Sequence, residues 1–163
     1  MDPGPEKSGG AYSRRRAAEL MRGTIIRRAE RAAEHADCGL LKGTPFRRSP
    51  NALLSIFDPG GAAVFPEGQS SFPSIERPLQ VYVIEMGREP TGEIYVAKDS
   101  SVKVGEAYRS WARACVVEFG DLRGPGKLIA FQEFSADPPK ETTAAGDVTG
   151  DVAPAIDQFV RGN

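Results

Sequence analysis

The segment Leu79–Met86 places the tightest limit on what this chain can fold into. In an extended backbone, Leu79, Val81 and Val83 face one way, while Gln80, Tyr82, Ile84 and Met86 face the other. Both faces are largely apolar, so the strand belongs at the centre of a sheet or between two layers. Thirteen Pro and eighteen Gly in 163 residues favour short strands and loops around it over a helical bundle.

Other strands follow from pattern and punctuation. Glu93–Lys98, with Ile94 and Val96 inward, reads as the partner of Leu79–Met86 in a hairpin closed by Gly87–Gly92. Residues 106–119 carry two patterns. Ala107, Trp111, Ala114 and Cys115 share a helical face, whereas Trp111, Arg113, Cys115, Val117 and Phe119 alternate, and 111–119 is read as strand. Gly120–Gly126 is a hairpin loop into Lys127–Phe134. Ala52–Phe57 and Ala62–Phe65 are brief apolar runs divided by the turn former Asp58-Pro59-Gly60-Gly61. The expected fold is mainly β (α+β overall), a small antiparallel β-sandwich or barrel over residues 51–136.

The flanks differ from this body. Residues 1–11 are expected to be disordered, 12–38 to form a basic amphipathic helical arm, and 39–50 to be a linker. In the arm, Ala18, Met21, Ile25, Ala29, Ala32 and Ala36 form one narrow stripe. Gly23 is a possible break, and Gly39 suits a left-handed helix end. Residues 137–163 read as a disordered acidic tail, with an apolar turn at 155–160 that docks or folds on a partner.

Charge divides along the same line. Residues 1–50 hold eleven basic against six acidic side chains, and the remaining 113 hold ten against sixteen. Arg14, Arg15, Arg16, Arg22, Arg27, Arg28 and Arg31 surround the stripe, and Arg47 and Arg48 follow in the linker. Guanidinium groups match phosphate oxygens, so these nine are the candidate contacts to an RNA or DNA backbone. Tyr82 and Tyr95 are candidates for base stacking. The same helix can instead be a solvated or protein-docking element, or an Arg-rich targeting segment, although transit peptides avoid acids and this one has several.

Other chemistry finds little support. His35 is the sole histidine and lies in the arm, so a Ser-His-Asp or Cys-His arrangement in the body is missing its base. Gly124-Pro125-Gly126-Lys127 resembles part of a phosphate loop, but Asp121 and Leu128 stand where that motif needs Gly and Ser or Thr. Cys38 and Cys115 have no metal-ligand spacing, and Cys115 alternates with core residues. Glu118 and Glu133 fall too far apart along a hairpin to share a site. No cofactor or metal is expected. The absence of a signal-peptide core and of a long apolar run points to a soluble, intracellular protein, cytoplasmic or nuclear, with no membrane partner.

A basic arm on a small β body with a flexible tail is similar in layout to small viral coat proteins and other nucleic-acid packaging proteins. The expectation is a non-enzymatic nucleic-acid-associated, packaging or assembly protein. The alternatives are a protein–protein or self-assembly module built on the Ala-rich helix face, with a homo-oligomer possible, and a small enzyme working without histidine.

Overall fold

The apolar run that begins at Leu79 lies at the heart of the molecule, and its first six residues are all buried. In the computed structural model, which describes residues 4–57, 73–143 and 145–162, a long helix α1 (Gly4–His35) is followed by a 3-10 turn (Cys38–Leu41). Within α1 the described side chains are Arg16 and those from Leu20 onward. Four principal strands come next: β1 (Ala52–Phe57), β2 (Leu79–Val96), β3 (Lys103–Phe119) and β4 (Lys127–Ala136). A two-residue strand β5 (Val148–Thr149) and a second helix α2 (Ala153–Arg161) are the last elements among the described residues.

The strands form one open mixed sheet in the order β1-β2-β3-β4, with β5 pairing β3. β1 runs parallel to β2, whereas β2–β3 and β3–β4 are antiparallel. Register aligns Leu53, Val81, Val117 and Leu128 in one row, and Leu54, Tyr82, Val116 and Ala130 in the next. Alternation sends the first row to one face and the second to the other. Ile25 and Ala29 of α1 join the first face, with Leu79, Val83, Cys115, Phe119 and Phe131. Ile156 of α2 joins the second, with Ile84, Ala112 and Ala114. Each large side chain so buried contributes about 1.5–3 kcal/mol.

Among the described residues the outcome is mostly β with two helices, and the sheet does not close. Two-sided apolar strands require two covers, and helices supply them here where a sandwich would use a second sheet. The tail is part of this solution. Residues 148–161, expected to lack structure, form β5 and α2, because Ile156, Phe159 and Val160 project toward the sheet at helical spacing. Phe159 meets Phe134 at 5.5 Å, Phe46 at 5.8 Å and Tyr82 at 5.9 Å between ring centroids.

Three local expectations also change. The hairpin between residues 79–86 and 93–98 does not form; β2 runs straight through 87–92 with a register shift between Pro90 and Ile94. Pro90 is tolerated because β1 pairs β2 no further than Glu85, leaving an open side for the missing N–H. The actual turn is at 97–102, where Ala97 N–H donates to Val102 O at 2.9 Å and Asp99 takes φ 62°. β3 is strand from Lys103, so the helical face seen at 106–115 is not used. α1 passes through Gly23 unbroken and begins at Gly4, inside the stretch expected to be disordered. Gly39 sits in the 3-10 turn, and the left-handed glycine after it is Gly43. The runs Asp58–Gly61 and Ala62–Phe65 lie outside the described residues.

Candidate nucleic-acid interface

α1 owes its docked face to Ile25 and Ala29, which are 5% and 0% exposed, with Ile26, Ala32 and Ala33 beside them. At 3.6 residues per turn, Arg16, Arg27 and Arg31 fall within about 60° of one another on the opposite side. All three are exposed, and they span roughly 22 Å along the axis. Leu20 lies on the same line, 59% exposed, and Glu34 closes it at the C-terminal end. Arg27 is further placed by its Nη2, which donates to Thr24 Oγ1 at 3.5 Å. Arg14 and Arg15 are in the helix, but their side chains lie outside the described residues.

The remaining arginines do not join this line. Arg22 is half-buried and falls about 20° from Ala29, on the docked side of the helix. Arg28 is turned inward: Nη1 donates to Leu122 O at 2.6 Å, Nη2 donates to Gly124 O, and the guanidinium lies 5.2 Å over the Phe119 ring. It therefore clamps α1 to the β3–β4 loop, and two carbonyls occupy the donors a phosphate would need. Arg28→Ala is expected to destabilise the fold by about 2–3 kcal/mol, measured by urea unfolding. Arg48 stacks over Phe46 at 5.2 Å and Phe159 at 5.3 Å, on the α2 side of the sheet. Arg47 is exposed, and its carbonyl accepts from Gln80 Nε2 at 2.6 Å.

Neither expected stacking residue is available. Tyr82 is 1% exposed and donates to Gln80 Oε1 at 3.1 Å. Burial pushes its phenol above the ordinary value, against the opposing pull of Arg48. Tyr95 is 7% exposed and donates to Pro139 O at 2.5 Å. Tyr82 lies in the part of β2 covered by α2, so its hydroxyl is drawn into a buried polar cluster.

Two other aromatics meet arginines instead. Trp111 is half-buried and its indole lies against Gly87 on the neighbouring strand, where a Cβ would come within 2.3 Å of the ring. Arg113 stands 5.5 Å from its ring. On the other face, Arg88 lies 4.2 Å over Tyr108. The register could not be read from the sequence, but the Arg109-x-Trp111-x-Arg113 alternation was visible there. This patch is electrically balanced: Arg109 meets Asp137 at 2.5 Å and Glu89 at 3.6 Å, and Arg113 meets Glu133 at 3.8 Å. Lys42 also pairs with Glu133 at 2.9 Å and holds its carboxyl below the usual range.

The carboxylates Glu118 and Glu133 stay apart, opposite Lys127 and Arg113 respectively. His35 ends α1 in an exposed position. Among the described residues, no group of three or more His, Cys, Asp or Glu side chains could hold a metal ion. No described helix is long and apolar enough to cross a membrane. Comparison with protein-family models, with curated proteins and with solved structures found no match to this chain.

Proposed function

We propose that this chain is a non-enzymatic, intracellular protein that binds the phosphate backbone of nucleic acid through α1. The observation that carries the reading is the placement of Arg16, Arg27 and Arg31 along one side of α1, whose opposite side is docked on the sheet from Ile25 to Ala33. Arg27 and Arg31 lie on the docked turns and need no prior ordering, which lowers the entropic cost of binding, whereas Arg16 lies on the stretch of α1 that precedes them. RNA and DNA offer the same phosphodiester chemistry, and backbone contacts alone fix position without reading sequence. The stacking contribution expected of Tyr82 and Tyr95 is withdrawn, so affinity rests on charge.

The test is anisotropy of labelled single-stranded RNA and duplex DNA, titrated with the full chain across a salt series. Replacing Arg16, Arg27 and Arg31 with Gln is expected to weaken binding at least tenfold. The slope of log K against log salt should flatten by roughly 2–3, given about 0.7–0.9 per phosphate contact. Arg113→Gln, in the balanced patch, should leave the slope unchanged. Absence of binding at low salt, or an unchanged slope in the triple variant, refutes the reading.

A second reading, protein docking or self-assembly through the helix, draws on one observation. Met21 (45% exposed) and Leu20 (59%) remain open while the later stripe packs on the chain's own sheet. Leu20→Ser with Met21→Ser would then dissolve any oligomer seen by sedimentation while sparing nucleic-acid affinity.

A further inference from the structure

Cys38 opens the 3-10 turn that follows α1, and Cys115 lies in β3 on the face that α1 covers. They are 77 positions apart in the chain, yet their sulfurs are 3.2 Å from one another. Both are free thiols. A disulfide bond is about 2.05 Å long, so roughly 1 Å of approach separates this pair from a covalent link. We propose that Cys38 and Cys115 are a reversible dithiol–disulfide modification site, oxidised by a small soluble disulfide, that fastens the end of α1 to the middle of the sheet.

The surroundings assign an order to the two sulfurs. Cys115 is 8% exposed, between Val83 on β2 and Phe131 on β4. Cys38 is half-buried at the edge of the same cluster, and its Sγ–H donates to Ala33 O at 3.4 Å. An incoming disulfide R–S–S–R therefore reaches Cys38 first. The Cys38 thiolate attacks one sulfur, forming Cys38–S–S–R and releasing RS⁻, which takes up the proton that Cys38 gave away. The Cys115 thiolate then attacks Cys38 Sγ and expels the second RS⁻, which takes up the proton of Cys115. Two protein thiols lose two electrons to become one disulfide, and the small disulfide gains them to become two thiols. Burial pushes the Cys115 thiol up, and that burial persists in the mixed disulfide, so the second step is the slower one.

The site bears on the proposed binding helix without depending on it, because its readout is covalent. The full chain, incubated with oxidised glutathione under native conditions, should lose both titratable thiols and a mass of two hydrogens. It should run as a single chain on a non-reducing gel, and dithiothreitol should restore both thiols. Cys115→Ala should instead retain a glutathione adduct on Cys38, and Cys38→Ser should stay unmodified while folded. The proposal is overturned if the adduct on Cys38 persists in the native sequence, if the new bond joins two chains, or if both thiols stay free.

Discussion

Replacing Phe119 with alanine is expected to cost about 3–5 kcal/mol of stability and to lower the melting temperature by roughly 10 °C or more. Phe119 is fully buried at the end of β3, where it pairs with Leu79 and packs in the α1-facing cluster. Gly126, across the β3–β4 loop, backs the ring so closely that a Cβ there would come within 2.7 Å of it. Little can move in to fill the space, so the cavity term is expected near its upper range. The ring also lies under the Arg28 guanidinium at 5.2 Å. A double-mutant cycle with Arg28→Ala should show a coupling of about 0.5–1 kcal/mol. Strict additivity would mean that the guanidinium is held by its carbonyl partners alone.

Ile156→Asp should have a comparable effect by a different route. Ile156 is fully buried against Tyr82, Ile84 and Val116 on the α2-facing side, and an aspartate there would be a charge with no partner. Burying it costs about 3–5 kcal/mol. Along the chain α2 is joined to the sheet only through the two-residue strand β5, so the cheaper response is for α2 to let go. The expected result is loss of helical signal from 153–161 and proteolysis within 137–163 while β1 to β4 stay folded. Hydrogen exchange read segment by segment would show this directly. If instead the whole sheet melts together with α2, that helix is an integral half of the core rather than a cover laid on it.

The α2 segment also shows how much of the fold was legible. Pro154 at the start, Ile156, Phe159 and Val160 at helical steps, and Gly162 just past the end are a complete helix signature. Gly162 does take the left-handed conformation, and its N–H caps Gln158 O at 2.8 Å. The surrounding Thr, Gly and Asp drew attention to disorder instead. The candidate site was half legible in the same sense. Helical periodicity placed seven arginines around the stripe without separating Arg16, Arg27 and Arg31 from Arg28, which is claimed by carbonyls 94 and 96 positions distant. No local pattern encodes such a partner.

What the sequence determined alone are features that act over a few residues. These are the two-sided apolar strand from Leu79, the turn at Gly120–Gly126, the helical spacing of residues 18–36 and the excess of arginine around it. Backbone sterics and side-chain periodicity suffice for these, and they operate wherever the segment lies. Tertiary structure alone decided the rest: that β2 continues through Pro90, that Tyr82 and Tyr95 are covered, that the sheet stays open between two helices, and that Cys38 meets Cys115. Burial and pairing depend on which distant surface arrives, and a surface is assembled only once the whole chain has packed.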